Sequence, residues 1–105
     1  MNYREIKDYE KMGACLRLLK GNLSALLRLS SGKVPKSMYN SRIWAIDKEL
    51  AKISGDLEER MLHDHPEVSN EYLNVFYGPA PKKGNSELED RLNEYATEIV
   101  KTMLN

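Results

Sequence analysis

Residues 9–29 read YEKMGACLRLLKGNLSALLRL, and the six that follow, Ser30-Ser31-Gly32-Lys33-Val34-Pro35, end the pattern. In the quoted stretch Tyr9, Met12, Leu16, Leu19, Leu23 and Leu26 alternate spacings of three and four. On a 3.6-residue helix that spacing makes a single apolar stripe of heptad type, and Leu27 widens it. The Ser-Ser-Gly run stops the helix, and Pro35 confirms the break. A first helix over about 3–29 is therefore expected.

Beyond the break the pattern resumes. Tyr39, Ile43, Ile46, Leu50, Ile53, Leu57 and Met61 are again spaced by threes and fours, with Ser37 or Asn40 able to cap the start and Pro66 blocking continuation. This predicts a second helix over about 38–63. At 1.5 Å per residue the two helices are roughly 40 and 36 Å long, and a short connection makes them a long antiparallel hairpin.

A third helix is expected over about 86–104. Ser86-Glu87-Leu88-Glu89 is a capping box, and Leu88, Leu92, Tyr95, Ile99 and Met103 form an apolar face with Ala96 beside it. Between helices two and three, Val68, Tyr72, Val75 and Phe76 fit a short helix over about 66–77 opened by Pro66. The same residues have high strand propensity, but no second strand exists to pair with them. Residues 78–85, rich in Gly and Pro, read as a loop. The expected fold is all-α, a single helical domain over 1–105, forming a small bundle whose hairpin has more apolar seam than the remaining segments can cover. Such hairpins complete their core by oligomerisation.

Helix two supplies a second reason to expect a neighbour. Trp44, Ala51, Gly55 and Leu62 fall within about 40° on a helical wheel, roughly 140° from the main stripe. Gly55 otherwise costs about 1 kcal/mol in a helix interior, so close packing by another helix is expected, either the third helix or one of another subunit. These four residues are the candidate oligomer interface.

The 105 residues carry no net charge, but the balance is uneven. Residues 1–42 hold nine bases and three acids, residues 43–105 seven bases and thirteen acids, and no acid lies between Lys11 and Ile46. Arg17, Lys20 and Arg28 share one side of helix one with Ser24, Gly13 and Gly21, and Lys33, Lys36 and Arg42 follow at the hairpin tip. Such a surface suits phosphates or an acidic partner, since guanidinium forks and lysine charges bind both and small residues admit a backbone. Helix-terminal bases on a solvated face are the plain alternative.

Other constellations are weaker. Glu59 and His63 share a helix face beside Asp64 and His65, the set nearest to a metal site, although structural zinc normally takes more Cys or His. Glu87, Asp90, Glu94 and Glu98 lie opposite the apolar face of helix three, with Arg91 and Lys101 among them, and read as a salt-bridged outer surface. Tyr72, Phe76 and Tyr77 with Pro79, Pro81, Lys82 and Lys83 could form a recognition surface or close the core. The single cysteine, Cys15, rules out an intrachain disulfide and reads as a small buried thiol. There is no Gly-rich phosphate loop and no cofactor motif. No apolar run approaches the roughly 18 residues of a membrane span, and Met1-Asn2-Tyr3-Arg4-Glu5 has no apolar h-region, so a soluble, cytoplasmic chain is expected. The function expected is that of a non-enzymatic helical interaction protein, a homodimer or higher oligomer that binds another macromolecule. The alternative is a nucleic-acid or nucleotide binder using residues 11–42, and a metal-dependent enzyme at His63 ranks last.

Overall fold

The computed structural model describes residues 4–104 and is all-helical, with no strand among the described residues. Helix α1 (Ile6–Ser30) and helix α2 (Asn40–Asp64) form the hairpin, and α3 (Glu87–Leu104) packs on α1. The expected start near Tyr3 lies outside the described residues. Glu5 caps α1 instead, its N–H donating to the Asp8 carboxylate at 2.8 Å. Ser31 and Gly32, the latter at φ 77°, turn the chain out of α1. Neither Ser37 nor Asn40 caps α2. A short 3₁₀ turn, Lys36–Met38, runs straight into Tyr39, whose carbonyl accepts the first α2 amide, that of Ile43, at 2.8 Å. Ser86 does cap α3, accepting the Glu89 N–H at 3.0 Å. The expected helix over 66–77 shrinks to a 3₁₀ turn at Asn70–Asn74 between bends.

Helix α1 is the central element. Its first half is buried on two sides, with Tyr9 bonded to Asp64 of α2 and Arg17 to Glu89 of α3, and with Ala14 and Leu16 buried between them. The 66–85 segment lies across this half of the hairpin. Val75 and Phe76, both fully buried, plug the space between α1 and α2, and the Ser54 hydroxyl shares its hydrogen between the carbonyls of Leu50 (3.0 Å) and Phe76 (3.3 Å). Gly13 makes this packing possible. A Cβ there would lie 2.5 Å from the Val75 carbonyl oxygen, so the backbones approach only because the side chain is absent. The room that Gly13 leaves is filled by the chain's own backbone.

The 47 × 26 × 26 Å molecule is thus closed at one end and open at the other. The 66–85 segment last meets α1 at Lys20, beside Tyr77, and at Gly21, whose Cβ would lie 3.9 Å from Ala80; toward the tip α1 and α2 meet each other and the Lys36–Met38 turn. Each apolar stripe is split lengthwise as a result. Leu16, Ile43, Leu50 and Met61 are buried, while Leu19, Leu26, Ile46 and Ile53 are about half exposed. Cys15 belongs to this uncovered side and is exposed, contrary to the expectation of a buried thiol.

Candidate functional site

The basic stripe expected on α1 is divided by the fold. Arg17 leaves the surface altogether, its side chain only 5% exposed. It donates from Nη1 and Nη2 to the two Glu89 oxygens, at 2.7 and 2.8 Å, and from Nε to the Pro79 carbonyl at 2.8 Å. The Glu89 carboxylate is therefore not free to complete the capping box at Ser86. One turn or two earlier the polarity is reversed. Glu10, with 3% of its side chain exposed, accepts from Arg91 Nε (3.1 Å) and Nη2 (3.2 Å) and from the Tyr72 hydroxyl (2.8 Å). The Glu10 carboxylate raises the Arg91 pKa above its ordinary value. So Arg91, which the sequence pattern assigned to an outer surface, reaches back to α1 with its side chain still 41% exposed, and with Glu89, read only as a capping residue, it ties α3 to α1 through two oppositely oriented ion pairs. Opposite polarity at the two positions penalises any slip of one helix past the other.

Lys20 is also engaged, its ammonium 5.3 Å from the centre of the Tyr77 ring. Arg28, Lys33, Lys36 and Arg42 remain exposed and form no ion pair with any described residue. They surround the open end of the hairpin. There Leu23, Ser24, Leu27, Ile43, Trp44 and Asp47 line a cleft of about 200 Å³. Trp44 is 66% exposed at its edge, and Leu29 (74%), Val34 and Met38 extend the apolar surface over the tip. Of the candidate interface residues, Trp44 and Ala51 are exposed and a Cβ on Gly55 would meet nothing, whereas Leu62 packs partly against the chain's own core.

The histidines separate. His63 is exposed beside Asp64, at 3.3 Å. His65 is buried, donating from Nε2 to the Arg4 carbonyl at 2.7 Å and meeting the Tyr9 ring edge-on at 6.0 Å between centroids. Glu59 is exposed, and among the described residues no three His, Cys, Asp or Glu side chains gather in a metal-holding group. Asp64 instead anchors the base of the hairpin. It accepts a short hydrogen bond from the Tyr9 hydroxyl and an ion pair from Arg4 at 3.1 Å, and Tyr9 above all holds its pKa down at about 2. Glu87, Glu94 and Glu98 are exposed as expected, while Asp90 accepts the Gly84 N–H at 2.7 Å. Tyr72 and Phe76 close the core, the structural reading of that cluster.

Sequence reading missed Glu10 and Ser54 as buried polar groups. Glu10 had a signal, an acid seven residues before Arg17 on the same side of one helix. Ser54 had none, because its second partner is a carbonyl 22 residues away. The chain matches no known protein family, and no curated protein or solved structure is similar to it.

Proposed function

We propose that this chain is a non-enzymatic helical interaction module whose open hairpin end receives an acidic amphipathic segment of another protein. The observation that carries the reading is the cleft of Leu23, Leu27, Ile43 and Trp44 in the half of the molecule that its own chain leaves uncovered. An exposed tryptophan beside an apolar groove is the usual anchor of helix-in-groove recognition. The surroundings select for charge. Arg28 and Lys48 lie one helical turn beyond the lining residues Ser24 and Trp44, no acid occurs from Lys11 to Ile46, and Asp47 is the one acid in the lining. The buried charges elsewhere support the reading, since Glu10 and Arg17 are already engaged within the fold by the partly exposed Arg91 and Glu89.

Trp44 is the single tryptophan, so its fluorescence reports the cleft directly. An acidic amphipathic helical peptide of about 20 residues should shift its emission to the blue, with affinity falling as salt rises. Arg28→Glu with Lys48→Glu should weaken that binding about tenfold, mainly through the association rate. The loss of Arg17 and Lys20 from the stripe leaves a smaller surface for polyanions. Duplex DNA or heparin binding as tightly as the peptide, without moving Trp44 emission, would favour the nucleic-acid reading instead.

A further inference from the structure

The cleft at Trp44 occupies one side of the hairpin, the side on which the 66–85 segment also lies. The opposite side is uncovered along most of its length. On a helical wheel Met12, Leu19 and Leu26 lie about 20–80° to one side of the Leu16–Leu23 line, and Ile46 and Ile53 about 40–80° to the matching side of the Ile43–Leu50 line. Ser24, Leu27, Trp44 and Asp47, the cleft residues, fall to the other side of both lines. The uncovered residues repeat every seven positions, Met12–Leu19–Leu26 on α1 and Ile46–Ile53 on α2. A seven-residue repeat presents knobs to another helix rather than to water.

We infer that this face binds a second copy of the chain, laid antiparallel so that the two hairpins form a four-helix core. Three features of the face select a copy over an unrelated helix. First, it is self-complementary in charge about its own centre. Arg42 and Asp56 are equidistant from Glu49 along α2, are opposite in sign, and neither forms an ion pair with any described residue of its own chain. Rotation about a two-fold axis near Glu49 sets each Arg42 against the Asp56 of the other copy, and each Ile46 against the other Ile53. An isologous interface requires this kind of palindromic pattern. Second, like charges do not meet without relief at the axis. Glu49 is already paired with Lys52 of its own helix, at 3.2 Å, and Arg60 with Asp64, at 3.7 Å. Third, the α1 half of the face is uncharged from Met12 to Leu29 and is centred on Leu19. The hairpin register, with Tyr9 on Asp64 at the base and Leu27 beside Ile43 near the tip, puts Leu19 within about one helical turn of the α2 centre. One two-fold axis therefore serves both helices. The parallel alternative sets Arg42 against Arg42 and Asp56 against Asp56 and is opposed by like charge.

This inference uses a different face from the proposed partner cleft, and the tests separate the two. Sedimentation equilibrium on the full chain at concentrations up to about 100 µM should show a dimer, a range that captures the weak end of specific association. Leu19→Lys and Ile53→Lys should each raise the dimer dissociation constant at least tenfold, an order-of-magnitude expectation from the lost apolar burial. Both side chains are half exposed in the monomer, so circular dichroism should be unchanged. Trp44→Ala should leave dimerisation intact while weakening peptide binding at least tenfold, followed by calorimetry because the variant has no tryptophan. Arg42→Glu should weaken the dimer roughly fivefold at low salt, and Arg42→Glu with Asp56→Arg should restore it, since the swapped charges meet again across the axis. A strictly monomeric chain overturns the proposal. So does a dimer indifferent to Leu19→Lys and Ile53→Lys, or a charge swap that fails to rescue.

Discussion

The two ends of the hairpin invert the usual distribution of residues. The closed end buries Glu10, Arg17, Ser54 and His65, while the open end exposes Leu19, Leu26, Leu29, Trp44 and Ile46. The difference lies in how many elements meet. At the closed end α1 is enclosed by α2, α3 and the 66–77 segment, so polar groups inside must find partners there, and each does. At the open end the two helices meet only each other and the short Lys36–Met38 turn, and their apolar faces extend past the contact they share. Closure of one end by reciprocal ion pairs sets a single register for α3. The other end keeps its apolar residues exposed.

The largest expected effect lies at the closed end. Glu89→Ala leaves the Arg17 guanidinium buried with only the Pro79 carbonyl, and should cost about 3–5 kcal/mol in chemical denaturation. If the ion pairs serve register more than stability, Arg17→Met with Glu89→Leu should recover most of that loss. A double variant as weak as Glu89→Ala alone would show that the pair itself stabilises the closed end.

Next in size is Gly13→Ala. Alanine improves helix propensity by about 1 kcal/mol, but its Cβ meets Val75 side chain and backbone. Backbone yields poorly, so a net loss of about 1–3 kcal/mol is expected. Gly55→Ala, in open space on the same scale of propensity, should stabilise by up to about 1 kcal/mol. Thermal melts of the two variants compare the packed and unpacked regions directly.

The base of the hairpin should respond to acid. Asp64 has its pKa lowered to about 2 from 3.8, chiefly by the Tyr9 hydroxyl. A depressed carboxylate contributes stability above its unfolded pKa and loses it as pH falls through the folded value, so the loss should run between about pH 4 and pH 2. Tyr9→Phe removes the main cause, and the acid-unfolding midpoint followed by circular dichroism should move to higher pH. The smallest effect belongs to the tip. Leu29→Ser and Met38→Ser remove exposed side chains and should change monomer stability by no more than about 0.5 kcal/mol. A larger loss would mean that the open end is packed in solution.

Legibility followed the range of the interactions. Helix ends were readable because Gly32, Pro35, Pro66 and Ser86 act on the backbone within a few residues, although the 3₁₀ entry at Lys36–Met38 replaced the expected caps. The heptad stripes were readable as stripes. Which half of each stripe is covered was not, since that depends on the 66–85 segment crossing one side only. The basic surface was overread for the same reason. Arg17 looks like its neighbours Lys20 and Arg28 on a wheel, but only Arg17 meets a carboxylate 72 positions away.

What the sequence determined by itself was the set of helices, their amphipathic faces and the acid-free stretch at the hairpin tip, because hydrogen bonding and side-chain periodicity within a helix are local. Tertiary structure alone decided that Glu10 and Arg17 go inside, that Gly13 receives Val75, and that Leu19 and Ile53 stay outside. Each of those outcomes depends on which distant residue arrives at a given face, and the chain's own periodicity carries no record of it.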